Sequence, residues 1–83
     1  MSYKIAFKKS VSRDLKKLSK DDVERILDNI EQGLPERADT FPLLTGKFAG
    51  LRKFRIGDYR VIYTIIENTA LVLRISHRLD VFR

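Results

Sequence analysis

The sequence predicts an α+β domain in the order β-α-α-β-β-β, and three observations carry that prediction. An alternating apolar stretch opens the chain, two stripes at helical spacing follow, and from Leu51 the apolar period changes to two. The expected architecture is an antiparallel meander with a two-helix hairpin on one face. Eighty-three residues make one domain, 1–83, with no room for a second core. A domain of this size buries roughly 60% of the surface its unfolded chain exposes.

Residues 3–8 alternate, with Tyr3, Ile5 and Phe7 on one side, as a half-buried strand does. Val11, Leu15 and Leu18 then fall at helical spacing. Ser19 reads as the N-cap of a second helix, with Asp21 and Asp22 in its first turn to complement the dipole. Val23, Ile26, Leu27 and Ile30 form its stripe, and Gly33 and Pro35 are its expected stop. Residues 34–50, with two prolines and two glycines, read as a connecting segment pinned to the core by Phe41, Leu43 and Leu44. Strands are expected over Leu51–Ile56, Tyr59–Glu67 and Ala70–His77, separated by short turns at Gly57-Asp58 and Asn68-Thr69. Leu79–Arg83 is expected to be a short extended tail.

Composition excludes several functions. The chain has no cysteine and one histidine, which leaves no thiolate zinc site and no disulfide framework. No phosphate-loop motif is present, and nothing supports a Ser/His/Asp triad. Residues 1–20 lack the apolar run of a signal peptide, and no stretch approaches the ~20 apolar residues of a membrane span. A soluble, cytoplasmic protein without cofactor or metal and without a membrane partner is the expectation.

The net charge of +6 is unevenly placed. Residues 1–46 carry nine basic and eight acidic side chains, whereas residues 47–83 carry eight basic and three acidic ones. Basic excess gathered in one half marks a polyanion-binding surface. Strand alternation gives it a side. Phe54 and Ile56, then Tyr59, Val61, Tyr63 and Ile65, then Leu71, Leu73 and Ile75 can pack under the helices. The opposite phase holds Lys53 and Arg55, then Arg60, Ile62, Thr64 and Ile66, then Val72, Arg74 and Ser76, with Arg78 continuing it. Lys53, Arg55, Arg60, Arg74 and Arg78 therefore share a face with no carboxylate in phase. A solvated sheet face normally mixes charge signs. Guanidinium forks bind phosphate in a bidentate way and stay charged at every relevant pH.

The run Gly50-Leu51-Arg52-Lys53-Phe54-Arg55-Ile56-Gly57-Asp58-Tyr59-Arg60-Val61-Ile62-Tyr63 resembles the core signature of the RelE/ParE toxin superfamily. Arg74-Ile75-Ser76-His77-Arg78-Leu79-Asp80-Val81-Phe82 resembles its closing motif, and Leu15-Lys16-Lys17-Leu18 fits its helix hairpin. The resemblance spans essentially the whole chain. It implies a RelE-like fold and the toxin of a type II toxin–antitoxin system, which cuts messenger RNA in the ribosomal A site by attack of the 2′-hydroxyl, without a metal. The catalytic residues it implies are Lys53, Arg55, Arg60 and Arg78, with Arg52 in reserve if the alignment slips by one. Arg52, Arg74 and Lys47 are the expected flanking RNA contacts. A RelB-like antitoxin is the implied partner, with operator DNA reached only through it.

Many members end this motif in a tyrosine proposed for proton transfer, where this chain has Phe82. His77 is the alternative proton-transfer candidate, since an imidazole of pKa near ~6.5 suits acid–base work. Strict alternation, however, puts His77 on the core side. Two other functions stay open: a ParE-like inhibitor of DNA gyrase, and a catalytically weak member that mainly binds its antitoxin.

Overall fold

The computed structural model describes residues 2–79. β1 (Lys4–Phe7), α1 (Lys9–Lys16) and α2 (Lys20–Arg37) precede a connecting segment with one 3₁₀ turn at Gly46–Phe48. β2 (Arg52–Ile56), β3 (Tyr59–Ile66) and β4 (Thr69–His77) complete the order β-α-α-β-β-β. The sheet order is β1-β4-β3-β2. β2, β3 and β4 pair as an antiparallel meander, and β1 lies parallel to β4. No helix among the described residues is long and apolar enough to cross a membrane.

β1 ends opposite Val72, and α1 then runs on beside the same edge of β4. The Lys8 N–H donates to the Val72 carbonyl at 2.9 Å, and the Ser10 hydroxyl to the Leu73 carbonyl at 2.9 Å. One turn on, Asp14 Oδ2 accepts from the Ile75 N–H at 2.9 Å. The helix thus satisfies backbone groups that β1 is too short to reach.

α2 starts as the cap predicts, with Ser19 Oγ accepting from the Asp22 N–H at 3.2 Å. Its stripe, Ile26, Ile30 and Leu34, is buried against Val61, Tyr63 and Val72 of the sheet. The helix does not stop at Gly33 and Pro35; it continues to Arg37. Pro35 removes a single ladder bond in the last two turns. Leu34 and Ala38, both fully buried, hold that turn on the core, and the Pro35 carbonyl accepts from the Tyr3 N–H at 2.7 Å. Gly33 is required for contact: a Cβ there would stand 3.0 Å from Phe54 Cζ.

In the connecting segment Phe41 stacks on Phe54, centroids 4.5 Å apart, and Leu44 is half-buried. Leu43, expected in the core, is 55% exposed; its backbone bridges Arg52 and covers the outer edge of β2. The second turn falls on Glu67-Asn68, one residue before the expected Asn68-Thr69, because Thr69 already pairs with Ile66. Glu67 adopts φ 55° there.

A bulge corrects the phase of β4. Ile62 pairs with Arg74 but Tyr63 with Val72, which leaves Leu73 as the extra residue. N-terminal to it the core-facing residues are Ala70 and Val72, in place of Leu71 and Leu73. Val72, expected on the basic face, is fully buried.

Candidate nucleic-acid interface

Two cross-strand rows cross the sheet face turned away from α2. One is Lys53, Ile62, Arg74; the other is Arg55, Arg60, Ser76. Lys53, Arg55 and Arg60 make no ion pair among the described residues. Cations on paired strands without internal counter-charges retain their donors for an external anion.

The other two expected cations are ion-paired, although no carboxylate shares their strand phase. Arg74 Nε lies 3.2 Å from Asp14 Oδ2 of α1, and Arg78 Nε lies 3.2 Å from Asp58 Oδ1 of the β2–β3 turn. Both carboxylates come from outside the strand phase, so alternation gave no sign of them. Arg78 also extends the β3–β4 ladder, its N–H donating to the Asp58 carbonyl at 2.6 Å. Arg60 Nη2 donates to the Arg78 carbonyl at 3.0 Å and ties the two arginines together.

Arg52 stands opposite Tyr63, in the helix-side phase, and its Nη1 donates to the Phe41 carbonyl at 2.7 Å. Lys47 lies in the 3₁₀ turn with its ammonium 5.4 Å from the Phe48 ring centroid. His77 pairs with Tyr59, also in the helix-side phase. Its ring meets Tyr59 edge-on at 5.3 Å, and its Nδ1 accepts from the Leu79 N–H at 3.2 Å. The Tyr59 hydroxyl donates to Asp22 Oδ2 at 2.9 Å, and this bond to a carboxylate, with burial, raises the phenol above its usual pKa. Phe82 and the tail 80–83 lie outside the described residues.

Ser76 has a place here that strand phase gave it without a role. It is 7% exposed, directly opposite Arg60, and its hydroxyl finds no hydrogen-bond partner among the described residues. Nor does Arg60 Nε, also buried. Among the described residues no group of three His, Cys, Asp or Glu side chains could hold a metal ion.

Residues 5–82 match the family described as the ParE toxin of type II toxin–antitoxin systems. No curated protein matches the chain in a sequence comparison. Among solved structures, the RelBE2 toxin–antitoxin complex of Mycobacterium tuberculosis contains a chain 27% identical, with TM-score 0.86, over 94% of this chain and 100% of that one. A chain of the archaeal RelE–RelB complex of Pyrococcus horikoshii is 28% identical, with TM-score 0.66, over 98% and 100%. A chain of the chromosomal ParDE system of P. aeruginosa shares the fold at 12% identity, with TM-score 0.77, over 92% and 96%. The strand, the helix pair, the meander and the family match leave one conclusion: this chain belongs to the RelE/ParE toxins of type II toxin–antitoxin systems.

Proposed function

We propose that the chain is a ribonuclease toxin, an endonuclease that cuts messenger RNA in the ribosomal A site by attack of the 2′-hydroxyl on the adjacent phosphate. The observation that carries this reading is the group Lys53, Arg55 and Arg60, three cations on two neighbouring rows of one sheet face with no ion-pair partner among the described residues. Attack by the hydroxyl builds a phosphorane with additional negative charge. Donors carried on rigid strands stabilise that charge, at about 10²–10³ in rate for each donor.

In this reading Arg55 and Arg60 clasp the phosphate, Lys53 favours the ionised attacking oxygen, and Arg78, held by Asp58, completes the cationic end of the face. Arg74 and Lys47 line the approach of the strand, whereas Arg52, on the helix side and bonded to the Phe41 carbonyl, does not. Proton transfer falls to His77, which packs against Tyr59 in the helix-side phase, to Lys53, or to no side chain at all, since Phe82 cannot exchange a proton.

The partner is an acidic antitoxin of the RelB kind that folds onto the toxin and either neutralises the basic face or displaces a helix packed there; the mycobacterial and archaeal structures are likewise toxin–antitoxin complexes. The cytoplasm, where ribosomes translate, is the compartment. A gyrase inhibitor is the second reading, favoured by the ParE description of the matching family and by Phe82.

Mapping transcript ends shortly after induction separates the two. New ends in phase with codons inside translated frames support the ribonuclease. Intact transcripts accompanied by DNA breaks refute it in favour of gyrase.

A further inference from the structure

Arg60 and Ser76 together form a feature that neither the fold nor the row of cations explains. Arg60 Nε and Ser76 Oγ are both buried without hydrogen-bond partners among the described residues, and their residues face each other across β3 and β4. Directly opposed cross-strand side chains have Cβ atoms roughly 4.5–5.5 Å apart. Native proteins seldom leave two such polar atoms unsatisfied side by side, and each instance asks for a reason. Arg Nε–H can only donate, and the serine hydroxyl can donate as well. An acceptor-rich group satisfies both at once, since each can donate to it.

In the free protein both atoms are buried. The Arg60 side chain starts opposite Ser76 and reaches the carbonyl two residues further along, at Arg78, through an exposed hydrogen bond of 3.0 Å. A neutral carbonyl is a weaker partner for a guanidinium than an anion is. Arg55, the β2 neighbour of Arg60, adds a second cation on the same row, without an ion-pair partner among the described residues.

We propose that Arg60 and Ser76 form a gated phosphate subsite: Arg60 leaves the Arg78 carbonyl to clasp a phosphodiester of an RNA strand, and the uncovered Ser76 hydroxyl donates to the same phosphate. The subsite deepens the ribonuclease reading and rests on it for the choice of RNA. Its signature is an inversion of ordinary mutational behaviour. Ser76→Ala deletes a buried hydroxyl that has no partner among the described residues, so folding stability stays equal or rises, while RNA affinity falls.

The experiment titrates the full chain and Ser76→Ala with a 2′-O-methyl trinucleotide, which offers phosphates and no attacking hydroxyl. Arginine Nε–H resonances are followed by NMR, and thermal denaturation is measured in parallel. Expected are a shifted Arg60 Nε–H in the wild type, a Kd weakened about tenfold or more in Ser76→Ala, and a Tm no lower than wild type. Equal affinity of the two proteins overturns the subsite. So does an Arg60 resonance that responds to an acidic peptide and not to the trinucleotide, which would assign the place to a protein carboxylate. If the trinucleotide binds as expected while transcripts on ribosomes remain uncut, the subsite stands and the cleavage reading fails.

Discussion

One oxygen of Asp14 holds two partners from consecutive residues of β4: the Arg74 guanidinium at 3.2 Å and the Ile75 N–H at 2.9 Å. The carboxylate is 8% exposed and sits where the bulge at Leu73 has displaced the strand. Bulge, helix and ion pair therefore form one local solution. The bulge brings Ile75 N–H to the edge, and α1 supplies the acceptor. The charge left over on that acceptor draws Arg74 toward the edge of the sheet.

Asp14→Ala should lower stability by about 2 kcal/mol, because it strands a buried N–H. Asp14→Asn should lose less, since an amide oxygen still accepts from Ile75. Urea denaturation checks both. A loss under ~0.5 kcal/mol for the alanine variant would show that water takes over the bond and that α1 docks without it.

Gly33 is the second test. Alanine in a helix is favoured over glycine by up to about 1 kcal/mol. Here a Cβ would meet Phe54 Cζ at 3.0 Å, and Phe54 is itself stacked on Phe41. The ring has little freedom to yield, so Gly33→Ala should destabilise by about 1 kcal/mol. Adding Phe54→Leu should remove the clash, and in that background Gly33→Ala should become neutral or stabilising. A stabilising single mutant would mean that the aromatic pair shifts at little cost.

These two sites also mark where the sequence was legible. The Ser19 cap, the Ile26–Ile30–Leu34 stripe and the period of two after Leu51 are local signals, and the elements follow them. Gly33 and Pro35 are local signals too, but burial of Leu34 and Ala38 overrides them. The bulge at Leu73 leaves no mark in a uniformly apolar run, so alternation carried past it assigns Val72 to the wrong side. The ion pairs Asp14–Arg74 and Asp58–Arg78 join residues 60 and 20 positions apart and have no local trace. Lys53, Arg55 and Arg60 could be placed because their strands, β2 and β3, keep an unbroken register across those positions.

Tyr63 predicts the alkaline limit of stability. Its hydroxyl donates to the Ala38 carbonyl inside the core, and burial, the largest cause, pushes its pKa up to about 12. The unfolded phenol titrates near 10. Between these values the native chain keeps a proton that the unfolded chain has lost, so stability must fall as pH rises from about 10 to about 12. Below pH 10 this contribution is fully present. Tyr63→Phe should cost about 1 kcal/mol near neutrality through the lost hydrogen bond. It should also show a shallower alkaline decline than wild type. Parallel declines in the two proteins would exclude Tyr63 as the cause.

The catalytic reading is tested on four side chains of one end of the sheet and one of the tail. Arg60 lies in the basic row, and Arg78 is tied to it through its carbonyl and to Asp58 through its guanidinium. If they stabilise charge on the phosphorane, Arg60→Ala and Arg78→Ala should each lower ribosome-dependent single-turnover cleavage by about 10²–10³ and relieve growth inhibition. Circular dichroism must show the wild-type fold in both. Lys53→Ala should act in the same direction, because its ammonium stands on the same face. His77 is the discriminating case. Its ring packs against Tyr59 in the helix-side phase, and its Nδ1 is occupied by the Leu79 N–H. His77→Gln is therefore expected to change the rate less than ~10-fold, and the pH profile should keep its shape. A positioned proton-transfer group contributes ~10²–10⁴, so a loss of ~10² with disappearance of a limb near neutrality would instead assign that role to His77. Phe82→Tyr adds the phenol that related toxins are proposed to use. A rise in rate of tenfold or more would show that charge stabilisation works here without a proton donor. An unchanged rate in both His77→Gln and Phe82→Tyr would leave Lys53 as the group that handles the proton.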